Sequence, residues 1–547
     1  MNKAFCLRAG TLLLIVLVFY SCKDHHPNTS KKVFYYNESN GISSLDPALA
    51  RGMTNIWGVN QLFNGLLQMD DNLNILPCIA RRWEMQDSGK KYIFYLRRDV
   101  YFHKNALFGK NQTRPVVARD IEFSFKRLID PGTASTGSWI FSGVKGVKEG
   151  KPAFTALNDT TFIIELERPF PAFKSLLCNM YCSVVPREVV EYYGKDFREH
   201  PVGTGPFVFS RWKEGERLIF LKNPEYFEKD STGIRLPYLD AISISFLSDK
   251  QSEFMEFIQG RLDFLNTLDA SYKDELLTHS GKLNPKYQDK FRMVTRPFLN
   301  TEYLGILMNG EVLRDSPLKL RKVRQALAYG FNRNQMMAFL RNGIGSPGVS
   351  GIIPVGLPPY GKLMNDGYSY DPQKAKALLS EAGFPYGKGL PEIVLYTTPP
   401  YSDLCEYLQG QWTELGIRTR VEINQGATHR EMVSKQKFAF FRGSWLADYP
   451  DAESYLSLFY SKNRAPAGPN TTQYNNPAYD ILYEKALSEI NIEKREALYK
   501  RMNEVLLADC PFIVLYYDVV LHLYQHSISG IQPNPMNWLS LKRAKKA

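Results

Sequence analysis

A chain of 547 residues is longer than one hydrophobic core supports, so two or three domains are expected. Hydrophobic residues at 44% and charged residues at 23% give the balance of an ordinary soluble globular protein. The net charge of +12 is spread among acids, with one dense basic block, LKRAKK (Leu541 to Lys546); this excludes a nucleic-acid stripe and leaves a mild attraction to anionic lipid.

Lys3 and Arg8 precede an apolar run from Leu12 to Phe19, followed by Tyr20, Ser21 and Cys22. Residues 1–21 therefore read as a signal peptide, too short for a comfortable membrane span. A cysteine directly after such a run resembles the lipidation site of bacterial lipoproteins. Cys22 is the expected lipid anchor, although Phe19 and Tyr20 depart from the usual pattern there. KDHHPNTSKK (Lys23 to Lys32) completes a flexible tether over 22–32. The remaining cysteines, Cys78, Cys178, Cys182, Cys405 and Cys510, are odd in number and scattered, which is not a disulfide framework.

KYIFYLRRDVYF (Lys91 to Phe102) reads as one or two buried strands, and ARDIEFSFKRLID (Ala118 to Asp130) sets Ile121, Phe125 and Leu128 at helical spacing. GIGSPG (Gly343 to Gly348) spells GxGxxG, but it contains Pro347 and no helix can follow it; it reads as a loop. The best-defined helix is Tyr370 to Phe384, with Asp371 as cap, Pro372 in the first turn and Gly383 as the stop. A second helix carries Leu404, Leu408, Trp412 and Leu415 on one face and ends at Gly416. IRTRVEI then alternates as a half-buried strand, and FAFF (Phe438 to Phe441) reads as a buried one. Strands and helices mix in order, which indicates layered α/β or α+β architecture.

Past FAFF runs RGSWLADYPD, where Arg442 and Asp448 lie six positions apart. Even spacing in an extended chain puts side chains on one face. The pair is either a structural salt bridge or solvated charges, or it awaits a ligand with a positive and a negative end. No GxSxG, HExxH, P-loop or CxxC is present, and no carboxylate pair stands out as catalytic. His522 and His526 are four apart, but LYYDVVLHLYQH reads as a strand, so no metal or other cofactor is expected.

Several stretches taken together carry a resemblance. KYIFYLRRDVYFHKN with ARDIEFSFKR, PVGTGPFVFSRW (Pro201 to Trp212), LRKVRQALAYGFNR (Leu320 to Arg333), YDPQKAKALLSEAGF and SWLADYPD are similar, in order, to signatures of the peptide-type, family 5 solute-binding proteins of ABC importers. Coverage runs from about Val33 to Trp538. The resemblance implies a mixed α/β, two-lobed, three-domain periplasmic-binding-protein fold with two hinge crossings, near Arg296 to Tyr303 and near Asp509 to Val514. It implies a discontinuous first domain (33–64, 203–297 and 511–547), a second over 65–202 and a third over 298–510. It also implies a monomer that is not an enzyme, held to a bilayer through Cys22 in the periplasm or at the cell surface, delivering short peptides to permease subunits.

In oligopeptide-binding members the acid of W-x-A-D-Y holds the peptide α-amino group, which maps to Asp448, and the arginine six residues earlier meets the carboxylate, which maps to Arg442. A zwitterion enclosed between lobes loses water at both ends and needs a charged partner at each. Backbone around Gly443, Ser444 and Trp445 is expected to accept the ligand as an added strand, with Leu446, Met53 and Asn55 completing the contacts. This chain departs from the family at three places. Val117 replaces a hydroxyl helix cap. MNGEVL (Met308 to Leu313) and PPYSDL (Pro399 to Leu404) lack the further Lys and His that hold carboxylates in the best-known oligopeptide receptor. The arginine of dipeptide-specific relatives is also absent near Pro399, so a ligand longer than two residues is expected. The alternative is the same fold binding an oligosaccharide, a nickel complex or another solute.

Overall fold

The computed structural model describes residues 31–266, 269, 271–357 and 367–547; the signal segment, Cys22 and most of the tether lie outside these. Strand β1 (Val33–Asn37) opens the first lobe and α1 (Met53–Leu62) follows it. Strands β2 (Ala80–Gln86), β3 (Lys91–Leu96), β4 (Phe154–Asn158) and β5 (Thr161–Glu165) form an antiparallel sheet in the order β2-β3-β5-β4. The stretch expected to be buried is a half-buried strand in β3: Tyr92, Phe94 and Leu96 are buried, and the residues between them are partly open. Helix α2 (Ala118–Ile129) lies between β3 and β4 in sequence, and its start shows how the missing hydroxyl is replaced. The Asp120 carboxylate accepts the Val117 N–H at 2.9 Å and is held by two Arg114 N–H donors at 2.8 Å each.

Strands β6 (Phe207–Lys213), β7 (Arg217–Lys222) and β8 (Ala241–Ser245) return to β1 in the order β1-β8-β7-β6, with β1 and β8 parallel. One hydrophobic cluster joins this sheet to the previous one: Phe34, Tyr36, Phe94, Phe125, Phe220 and Ile242 all belong to it. The expected first and second domains therefore share a core and make one lobe.

After α3 (Lys250–Ile258) and β9 (Phe264–Asn266), the chain enters the long strand β10 (Phe291–Ile306). The second lobe adds α4 (Pro372–Glu381), β11 (Ile393–Thr397), α5 (Ser402–Thr413), β12 (Thr419–Ile423) and β13 (Phe440–Leu446). The chain then returns through β14 (Phe512–Gln525), giving the sheet order β9-β14-β10-β13-β11-β12. Helix α4 is capped as expected: Asp371 accepts the Lys374 N–H at 2.9 Å, Pro372 sits in the first turn and Gly383 adopts φ +91°. Ser346 and Pro347 of the GIGSPG loop make a short pairing with β14.

Strands β10 and β14 tie the lobes together. Phe291, Leu521 and Leu523 pack in a cluster with Phe254 and Phe257, whereas Leu304, Ile306, Ile513 and Leu515 pack with Trp412 and Phe440. The ladder breaks register between Pro297 and Thr301, where proline has no N–H to donate. The first crossing falls where expected. The second lies further along than Asp509 to Val514, at Tyr517 to Val519 opposite the break, so the closing segment of the first lobe begins after residue 517 and not at 511. Pro511 marks only the start of β14, just after the long helix Ile492–Asp509 ends on Cys510 at φ +53°.

Candidate functional site

The strand β13 pairs with β10 along its length, Phe440 opposite Ile306 through Leu446 opposite Asn300. On its other side it meets β11 only at Phe441 opposite Tyr396. From Gly443 to Leu446 that second edge has no strand partner among the described residues, which leaves backbone N–H and C=O groups facing the space beyond. Ser444 is exposed, and Gly443, Trp445 and Leu446 are half-buried.

Asp448 follows two residues past the strand. Ser454 Oγ fixes this corner, accepting the Asp448 N–H at 3.3 Å and the Trp445 indole N–H at 3.4 Å. The carboxylate opens into a cavity of about 580 Å³ between the lobes, lined by Trp139, Phe170 and Phe173 from one side and by Trp445, Asp448 and Tyr460 from the other. The first-lobe amide Asn179 reaches the Asp448 carbonyl at 3.5 Å, and Tyr449 packs against Trp139 and Phe170 with ring centroids 6.2 Å apart in each case. Asp448 makes no ion pair or side-chain hydrogen bond among the described residues, and desolvation by the surrounding walls pushes its pKa up to about 6. It is a carboxylate still reached by solvent in the open cleft, and it has no counter-charge among the described residues.

Behind it, Glu453 is buried and accepts hydrogen bonds from the hydroxyls of Tyr449 and Tyr483. Burial pushes its pKa up to about 7, with the nearby Asp451 and Asp448 adding in the same direction. Arg168 is the one cation lining the cavity among the described residues, and it comes from the first lobe.

Arg442 does not share this space. Its guanidinium pairs with Glu302 of β10, which is 3% exposed, and lies 3.3 Å from the ring centroid of Tyr401. Asn300 donates to the other Glu302 oxygen at 2.9 Å. Burial opposes charge on both partners, yet Glu302 and Tyr401 keep the Arg442 pKa above its ordinary value. The expected pair of free charges is therefore one free anion and one arginine already neutralised inside its own lobe. Asn55 is also corrected as a ligand contact: its amide accepts the Ser43 N–H at 2.9 Å and donates to Ser43 Oγ and the Arg51 carbonyl, each at 3.0 Å. Met53 packs against the first-lobe core and does not line the cavity. His522 is bound by Tyr524 at 2.8 Å and Asn537 at 2.9 Å, and no metal-ligating cluster occurs among the described residues. The five described cysteines are buried free thiols, so Cys178 and Cys182 do not pair.

Glu302 and the aromatic wall of the first lobe went unnoticed in the sequence. An acid inside the apolar strand LNTEYLGI was the available signal for the first. Nothing marked Trp139 or Phe170, because their role depends on the opposite lobe.

A hinge of two strands, a cleft between lobes and a ligand-sized cavity at that cleft describe a receptor that encloses a solute. The family model "Bacterial extracellular solute-binding proteins, family 5 Middle" matches residues 74–467. The chain belongs to that family. It is 26% identical over 543 residues to the dipeptide-binding protein DppE of Bacillus subtilis, covering 96% of this chain and 93% of that one. It is 26% identical over 529 residues to heme-binding protein A of Haemophilus influenzae, covering 93% of this chain and 92% of that one. The structure of DppA from Helicobacter pylori in complex with the peptide STSA superposes with a TM-score of 0.74 at 22% identity, covering 94% of this chain and 98% of that one. The fold is thus the two-lobed one of this family, and as a solute-binding protein the chain is not an enzyme.

Proposed function

We propose that this family 5 protein is the extracytoplasmic receptor of an ABC importer and captures short peptides by their free amino end. The observation that carries the reading is the unpaired Asp448 carboxylate beside the unpaired edge of β13. A peptide laid along Gly443 to Leu446 adds a strand, so its backbone supplies affinity without reading side chains. Its α-ammonium then lies at the strand end, where Asp448 supplies the missing counter-charge. Named relatives bind dipeptides and heme, and the aromatic wall of Trp139, Phe170 and Trp445 also suits a bulky apolar solute, which is the second reading. An oligosaccharide carries no ammonium group to answer that carboxylate.

The mature protein is proposed to be a monomer anchored to a membrane through Cys22, in the periplasm or at the cell surface, handing peptide to permease subunits. Mass spectrometry of solute carried through purification tests the ligand class. Peptides with free amino ends are expected; heme or sugar in their place overturns the reading.

A further inference from the structure

The sheet β1-β8-β7-β6 buries one face completely: Phe34, Tyr36, Leu218, Phe220, Ile242 and Ile244 are all 0% exposed. Its other face is open only in part: Ser243 and Asn37 are buried, whereas Arg211, Lys213 and Arg217 are exposed. By register, Arg211, Ile219, Ser243 and Tyr35 form one row across it, and Lys213, Arg217, Ser245 and Asn37 form the next. These rows floor a groove of about 860 Å³ walled by Glu256, Arg261 and Lys546. Five cations line it, Arg211, Lys213, Arg217, Arg261 and Lys546, against two carboxylates, Glu216 and Glu256. Both carboxylates are taken, Glu216 by Lys213 and Glu256 by Arg261, while Lys546 holds Asp263 at 2.7 Å. Arg211 and Arg217 have no carboxylate partner among the described residues; Arg217 donates to Ser243 Oγ at 2.9 Å.

A solvated sheet face mixes signs and lacks large apolar groups. This one has an excess of positive charge beside exposed leucines, Leu221 at 48% and Leu247 at 37%, and a Tyr35 ring under the Lys546 ammonium at 4.9 Å. The groove also sits where the chain enters the fold: Tyr35 lines it, and Lys546 donates to the Val33 carbonyl at 2.9 Å. Cys22 precedes Val33 by eleven residues, whose contour length is at most about 38 Å. A membrane holding Cys22 is therefore always within reach of this face.

We propose that the basic groove is a docking surface for the anionic phospholipid headgroups of the membrane that carries the anchor. Arginines and lysines meet the phosphates, and Tyr35, Leu221 and Leu247 meet the interface below them. Docking would fix the first lobe against the bilayer and leave the second free to move. The geometry rests on the anchored reading of Cys22, so the test removes the anchor and the two claims fail separately; lipidation itself is read from the mass of the mature N-terminus.

The mature chain carrying Cys22→Ser is sedimented with vesicles of two parts phosphatidylcholine to one part phosphatidylglycerol, and with pure phosphatidylcholine. Binding to the anionic vesicles is expected to be about tenfold stronger or more and to weaken with added salt. Arg211→Gln with Arg217→Gln should abolish most of the difference, whereas Lys126→Gln with Arg187→Gln, which do not line this groove, should not. An unchanged thermal melt confirms that the first variant is folded; if it is not, Lys213→Gln with the salt dependence of the parent provides the same reading. Equal binding to both vesicle types, or equal binding by the Arg211/Arg217 variant, overturns the proposal. Displacement by inorganic phosphate beyond that by chloride of equal ionic strength overturns it in favour of a small-anion site.

Discussion

At the scale of single residues, Asp448 and Arg442 part company: the acid stands free at the cleft, and the arginine is paired with Glu302. Asp448 stands alone with its pKa near 6, and the sign of that shift gives two outcomes. The folded value lies above the ordinary carboxyl value of about 4, so stability without ligand falls as pH rises from about 4 to about 6 and is level above. Asp448→Asn should therefore melt no lower than the parent at neutral pH, measured by calorimetry. Ligand capture runs the other way. It needs the ionised carboxylate, so peptide affinity should rise tenfold per pH unit below about 6 and flatten above it. Arg442→Ala should act chiefly on the fold. It strands a buried Glu302, and breaking such a pair costs about 3–5 kcal/mol. A chemical denaturation curve checks this, and its effect on binding should be the same for free-acid and C-terminally amidated peptides. Spacing could place both charges on one strand but not show that a third, Glu302, sits on the neighbouring strand 140 positions away.

At the scale of elements, local chemistry was readable and long-range pairing was not. The helix from Pro372 begins and ends where its Asp371 cap, proline and Gly383 direct, because those signals act within a few residues. The helix from Ser402 has no side-chain cap and was legible from its apolar face. The strand past FAFF was also legible as an apolar run, but not the openness of its second edge, which depends on where β11 stops. Proline punctuates a pattern and so draws the crossing in β14 toward Pro511, yet the strand passes unbroken between the lobes, and only the change of packing partners marks the boundary. The replaced cap of α2 gives a prediction at this scale. Asp120→Ala removes the acceptor for the Val117 N–H and the partner of Arg114, so it should destabilise the protein by about 1–2 kcal/mol in denaturant unfolding without changing peptide affinity.

For the whole molecule, the two-lobed plan was legible from the order of five signatures, each weak alone. The cleft was not, since it is made by side chains that meet only after folding. With one lobe on either side of the β10–β14 hinge, a bound ligand adds contacts to both walls that an open state lacks. Small-angle scattering should record a smaller radius of gyration with saturating peptide, and an unchanged radius would count against closure.

The central claim is that Asp448 anchors an amine, and titration calorimetry with one tripeptide, free and N-acetylated, tests it most directly. Removing one partner of a buried charge pair typically costs about 2–5 kcal/mol. The acetylated peptide should therefore bind the parent about thirtyfold more weakly or worse, and Asp448→Ala should weaken the free peptide to a similar degree while barely affecting the acetylated one. Equal binding of the two peptides to the parent would contradict the account and move the apolar-solute reading ahead.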